Sequence, residues 1–404
     1  MDCFNGNASF VHSMAKSFTV LNRVKLIALG GMSKVIVSLS SVVTSFIIIR
    51  WHSATLWGEA VAYILFLDFS FSIIAWGATP FLIREFSFHP KNIKTSWVKA
   101  FWSRSPLLIL FVMVLLFLPF SIESKVVLVI WAIARYVYHS FESLIQFERK
   151  FIFSFAIESL GLAIILIPIF LLPTPIDVHS VIKLFAISML FKAMISFTFF
   201  RSFLAFQWPQ KEYYTVAFPF LLLTFSGMLQ QRADLYWVAY YLPEDETAKY
   251  QVFINLLIFA QFLASLLLSP FAKNIFRLSQ NSIAKLERRF ILLGVPLSGI
   301  CILGIFIVVK FFYHLELSLL LHAFGFFYIL AFYFYLLKNY ELGKLFQQTK
   351  VSIFSLVAST ITILLSILLT PLFHLEGALL AGLAGQLTLI LLYQYKSTGI
   401  YAAR

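Results

Sequence analysis

The chain has 404 residues, of which 61% are hydrophobic, 18% aromatic and only 12% charged, with a mean hydropathy of +0.90. Soluble domains carry about twice that share of charge, so a water-soluble enzyme or binding module is excluded and the chain reads as an all-α polytopic membrane protein. In such a protein a net charge of +13 marks cytoplasmic loops rather than nucleic-acid binding, and two cysteines, Cys3 and Cys301, suit neither a disulfide framework nor a zinc site.

The first 25 residues are polar and hold no cleavable apolar segment of the signal-peptide kind. A spanning helix needs about 20 mostly apolar residues. Twelve runs qualify: 31–49, 57–79, 100–120, 125–145, 151–172, 181–200, 215–241, 249–271, 290–312, 316–337, 351–371 and 376–395. Every connection between them is short. With the N-terminus inside, inner segments hold 21 of the 31 Lys and Arg residues, and the outer loops hold only Arg50, Lys125, Lys249 and Lys310. That alternation predicts twelve spans with both termini cytoplasmic.

Span 2 opens with "LWGEAVAYILF" (56–66) and closes with "PFLIREF" (80–86), where Pro80 is expected to stop the helix. Span 8 opens with "ETAKYQVFINL" (246–256) and closes with "PFAKNIF" (270–276). Gly58 and Ala248, like Pro80 and Pro270, stand 190 residues apart. The shared offset predicts a duplication into two pseudo-symmetric six-helix lobes, 1–205 and 206–404. Six spans is an even number, so the lobes share one orientation, with the substrate site between them.

Charges inside the spans are costly and normally face a bundle interior or a hydrated cavity. Span 1 carries Lys34, Ser38, Ser41 and Ser45 on one face. Span 2 holds Asp68 near mid-depth and span 3 holds Arg104. In span 4, Arg135, His139, Glu142, Gln146 and Arg149 follow spacings of 4, 3, 4 and 3 and so share one helix face. Glu158 lies in span 5 and Lys192 in span 6. In the second half only span 7 carries embedded charges, Arg232 and Asp234, within "LQQRADLYW" (229–237). These charges read either as staples between helices or, taken as a set, as the lining of a hydrated cavity. Arg232 and Asp234 point about 200° apart on a helix, so one of them is expected to face the cleft and the other a neighbouring helix. Asp234 is the residue expected inward. Span 10 is a bulky aromatic run in which Tyr328, Tyr333 and Tyr335 read as core or lipid-facing, with sugar stacking as the alternative. Spans 11 and 12 carry a serine/threonine face and the small residues Gly377, Ala381 and Gly385, a pattern for close helix packing.

Three stretches, "LWGEAVAYILFLDFSFSIIAWGATPFLIREF", "ARYVYHSFESLIQFERKF" and "RADLYWVAYYLPEDETAKYQVFINL", carry a resemblance over nearly the whole chain. It resembles the polysaccharide-export branch of the multidrug/oligosaccharidyl-lipid/polysaccharide flippase superfamily, and most of all its O-antigen flippases. Where the family usually has Gly-x-Tyr after the outer loop, this chain has Ala248-Lys249-Tyr250 and Gly58-Glu59-Ala60, so no exact residue role is carried over from that motif. The resemblance implies a bacterial inner-membrane transporter, not an enzyme. Its expected substrate is an undecaprenyl-pyrophosphate-linked oligosaccharide, with other polysaccharide-assembly membrane proteins as candidate partners. Arg135, Lys192, Lys34, Arg104 and Arg232 would meet the pyrophosphate. Asp68, Glu142, Glu158 and Asp234 would hold these cations or bind a coupling H⁺ or Na⁺. A multidrug extruder would favour a more acidic cavity. An O-antigen polymerase would carry a large outer loop, and the longest one here is "PEDETAK". A major-facilitator carrier would need a long central loop.

Overall fold

Hydrocarbon offers backbone amides no hydrogen-bond partner, so a chain of this composition satisfies them within helices. The computed structural model describes residues 20–171, 176–203, 205–268, 280–344 and 348–402, and these residues form helices joined by short connections, with no strand among them. In chain order the helices are α1 (Val20–Trp51), α2 (Ala54–Ala75), α3 (Ala78–Phe88), α4 (Ile93–Phe117), α5 (Ile122–Phe147), α6 (Phe151–Leu171), α7 (Val178–Phe199), α8 (Lys211–Tyr241), α9 (Glu244–Leu268), α10 (Gln280–Ile307), α11 (Leu319–Lys344) and α12 (Gln348–Ala402). Among the described residues, eight segments are long and apolar enough to cross a membrane. The polar-faced helices α5 and α8 are not among the eight, and one of the eight covers 46 residues of α12.

Local chemistry sets several of the boundaries. The Ser53 hydroxyl accepts from the Leu56 amide, Ser121 from Ser124, and the Asp177 carboxylate from Ser180, which caps α2, α5 and α7. Span 2 does not stop at Pro80 as expected. It breaks earlier, where Trp76 and Gly77 adopt φ of 45° and 63°, and Pro80 sits in the first turn of α3. Proline lacks a donor that the first turn does not need, and its ring collides with the carbonyl four residues back. That carbonyl belongs to Trp76, where the helix parts. Pro270, the matching landmark of the repeat, lies outside the described residues.

α12 is two helices. His374 leaves the helical region (φ 51°, ψ −130°), and the arms fold back on each other. A Cβ on Gly377 would sit 2.1 Å from the Leu369 carbonyl oxygen, and one on Gly385 would sit 2.0 Å from the Thr362 hydroxyl. The small-residue ladder thus lets two backbones approach side by side.

The largest buried cluster joins α1 and α2 to α8, α9, α10 and α11, with Ile48, Trp57 and Leu65 packed with Leu235, Tyr250, Phe253 and Tyr328. Toward the outer end, in the orientation the loop charges predict, α2 and α9 lie almost backbone to backbone. A Cβ on Gly58 would sit 1.8 Å from the Glu244 carbonyl oxygen. Nearby, Tyr313 bonds Ser45 and the Val42 carbonyl of α1. Toward the inner end, Trp76 donates to the Tyr214 carbonyl and Gly77 abuts Phe220, which closes α2 and α3 against α8. Apolar side chains such as Leu110, Leu116, Phe117 and Ile122 are exposed on the outside, as a hydrocarbon solvent permits.

Candidate functional site

Between these two seams lies a cavity of about 560 Å³. Its walls come from α1 (Ser41, Thr44), α2 (Trp57, Asp68), α8 (Gln231, Arg232) and α9 (Gln251, Asn255), with Phe332 from α11. The cavity therefore joins helices from both halves of the chain. Its polar groups are organised. Arg232 Nη1 donates to Asn255 Oδ1 at 2.7 Å, and Asn255 Nδ2 donates to Ser41 Oγ at 3.2 Å. Trp57 Nε1 donates to Gln251 Oε1 at 2.9 Å, next to the Gly58 crossing. Asp68 accepts from Arg135 Nη1 at 2.6 Å. The Tyr236 hydroxyl of α8 donates to the Leu65 carbonyl on α2 at 3.1 Å.

The sequence-predicted residues separate into three groups. Asp68 and Arg232 are on the cavity wall, and Arg135 stands one bond behind it. Arg104, Lys192 and Glu158 do not line this cavity. Arg104 is 1% exposed; it donates from Nε to the Ala100 carbonyl and from Nη2 to Ser140, and its guanidinium lies 5.2 Å from the Tyr136 ring centre. Lys192 and Glu158 bind each other at 2.6 Å, and Tyr138 donates to the other carboxylate oxygen at 2.6 Å. These are staples between neighbouring helices. Glu142 is not on the wall either. It accepts from Gln146 and pairs with His139 along α5. Lys34 falls in α1, and its side chain lies outside the described residues.

Asp234 is the residue expected inward, and it does not line this cavity. Arg232, not Asp234, faces the cleft. Two residues on, Asp234 is turned to the far side of α8 and is 2% exposed. It accepts from Tyr250 at 2.6 Å and from the Leu235 amide at 2.8 Å. Gly382 of α12 makes room for it, since a Cβ there would lie 2.9 Å from Asp234 Oδ2. Beyond it, Tyr335 donates to Gln386 at 2.6 Å and accepts from Gln230, while Gln261 donates to the Tyr328 carbonyl. Tyr328, Tyr333 and Tyr335 are buried, so these rings are core rather than a sugar platform.

Sequence reasoning weighed charges and passed over the polar wall of α9. Gln251 and Asn255 stand at i and i+4 in the apolar stretch of the helix that follows its charged first turns, and Gln261 and Ser265 come after them. A count of uncharged polar residues at helical spacing would have found them.

No protein-family profile matches the chain, and no curated protein matches it in sequence. Its fold is that of known membrane proteins. A solved structure described as lipid II flippase MurJ in an inward closed conformation matches with a TM-score of 0.68 at 14% identity, covering 92% of this chain and 87% of that one. The inward-facing conformation of a multidrug resistance MATE family transporter of the MOP superfamily matches with 0.67 at 11% identity, covering 90% and 94%. An outward-facing conformation of a MATE family transporter matches with 0.58 at 11% identity, covering 94% and 95%. At these identities the likeness defines a class, the polytopic helical fold that MurJ and MATE proteins share. It does not carry a substrate.

Proposed function

We propose that this protein is a flippase of the bacterial inner membrane. It would move an undecaprenyl-pyrophosphate-linked oligosaccharide, an O-antigen repeat unit or similar polysaccharide precursor, from the cytoplasmic to the outer leaflet by alternating access. The observation that carries this reading is the charge of the cavity. Arg232 is hydrogen-bonded to a neutral amide, and the wall's carboxylate, Asp68, already holds Arg135. The site therefore favours an anion. A pyrophosphate headgroup needs such a site, because desolvating even one ion costs on the order of 20 kcal/mol in the idealised limit. The amides and hydroxyls of Asn255, Gln251 and Ser41 suit sugar hydroxyls. The lipid tail stays in the bilayer.

In this reading the chain crosses the membrane twelve times as two six-helix lobes, 1–205 and 206–404, with both termini cytoplasmic. The seam at Trp57–Gln251 and Gly58–Glu244 shuts the cavity from the outside, in keeping with the closer match to inward-facing than to outward-facing MATE structures. Asp234, desolvated beside Tyr250, is the candidate carboxylate for a coupling H⁺ or Na⁺. The test is a deletion strain scored for lipid-linked repeat units on the cytoplasmic leaflet and complemented with Arg232→Ala. Stranding that wild type relieves and Arg232→Ala does not is the expected result. Full export by Arg232→Ala sinks the cavity assignment.

The second reading, a multidrug/cation antiporter, is favoured by the MATE likeness. Drug sensitivity without stranded lipid would select it.

A further inference from the structure

We infer that Asp68 is a built-in competitor for the anionic headgroup, holding Arg135 until a pyrophosphate displaces it. This rests on the reading that an anionic headgroup enters the cavity. Asp68 is on the cavity wall and Arg135 is behind it on α5, joined to it at 2.6 Å. The guanidinium lies 4.5 Å from the Phe71 ring centre, which braces it from one side. Its Nε is buried with no acceptor, so the guanidinium has one strong partner and donor capacity left over. Asp68 accepts from Nη1 alone, so it leaves free part of a fork that an oxyanion such as a phosphate group can engage bidentately.

The arrangement solves a problem particular to a carrier. Without Asp68, Arg135 would be partly buried behind the cavity wall with no carboxylate partner, which is costly for a charge held out of bulk water. A permanent Arg135–headgroup pair would prevent release. Asp68 answers both. A multiply charged pyrophosphate outcompetes the singly charged carboxylate, and Asp68 retakes Arg135 as the headgroup leaves. Arg232 has a neutral partner, Asn255, and so needs no displacement. One cation of the site is open and the other is guarded, which makes Asp68 a positioning residue that sets affinity and release.

The experiment uses the purified full chain with inorganic pyrophosphate as probe, read by calorimetry and independently by the ligand-induced rise in Tm. Asp68→Asn keeps the shape and removes the competing charge, and is expected to bind about tenfold more tightly than wild type. Placed on Arg135→Gln, the same change is expected to give no gain. In cells Asp68→Asn is expected to slow export and strand lipid-linked units despite the tighter binding. If wild type binds pyrophosphate and Asp68→Asn binds it no better, or if the gain persists without Arg135, the guard is overturned while the anion reading stands. If neither protein binds, both fall. Farnesyl pyrophosphate serves as a second probe. Tighter binding than inorganic pyrophosphate identifies a lipid headgroup as the ligand, and equal binding overturns the lipid as its source.

Discussion

The two halves of this protein bury polar groups in different ways. In the first half, ions pair across helices, Arg135 with Asp68 and Lys192 with Glu158, while Arg104 is held by neutral groups, the Ser140 hydroxyl and the Tyr136 ring. In the second half the described interior between α8, α9, α11 and α12 is largely a network of neutral amides and phenols around the carboxylate of Asp234, Lys338 pairs with Glu287 between α11 and α10, and the helices are drawn together by Gly377, Gly382 and Gly385. Ion pairs specify partners sharply, but each member depends on the other, because a lone buried charge is far worse than none. Neutral hydrogen bonds within a membrane bundle are individually weak, so the network tolerates the loss of one member. The first half therefore relies more on discrete pairings that can be exchanged, and the second more on a packed neutral network.

The largest effect is expected where a pair is halved. Glu158→Ala strands Lys192 and removes the acceptor of Tyr138, at a cost of about 3–5 kcal/mol, visible as a fall in Tm in detergent and in membrane accumulation. The double change Glu158→Gln with Lys192→Met should recover most of it. If single and double variants melt alike, the first half does not depend on its pairing.

Next comes the seam that joins the halves. Gly58→Val puts carbon where the Glu244 carbonyl now lies, so α2 and α9 must separate. A cysteine at Thr44, in a background lacking Cys3 and Cys301, is then expected to react with an impermeant thiol reagent from outside only when Gly58→Val is present. Unchanged labelling would show that something else shuts the cavity.

A smaller effect is expected within the neutral network. Tyr335→Phe removes one hydroxyl between Gln386 and Gln230 and should cost about 1 kcal/mol. A loss as large as that of Glu158→Ala would erase the contrast between the halves.

The smallest effect lies at the surface. Ser180 hydrogen-bonds Asp177, through its side chain first and its amide second, and holds that carboxyl below the usual aspartate value. Its folded-state pKa is depressed, so the cap adds stability above the ordinary value of about 3.9 and loses it as pH falls through the lowered one. A melting series over that acid range should flatten slightly in Asp177→Asn. An unchanged slope would remove the cap's contribution.

Much of this was legible in the sequence. Composition alone excludes a soluble fold, because so little charge cannot cover a protein in water, and eight segments of the described residues are helices long and apolar enough to cross a membrane. The Gly377/Ala381/Gly385 ladder announces a close seam, since only small residues let backbones approach in lipid. The Arg135 face of α5 could be read from spacing. Pro80 misled, because a proline marks the strain on the carbonyl four residues before it and not the end of the chain's helical path. The polar wall of α9 was missed because it carries no charge.

By itself, the sequence determined the solvent, the helices and which side chains would be expensive to bury, since those follow from local composition and period. It also showed that Arg232 and Asp234 must part company. Only the tertiary structure decided which of them meets the cavity. That depends on the rotation of α8 against α9 and α12, set by the hollow at Gly382 and the reach of Tyr250. It also decided that Arg135 finds Asp68 while Lys192 finds Glu158. Every embedded charge seeks a partner, and the sequence does not say which helix will bring one within 3 Å.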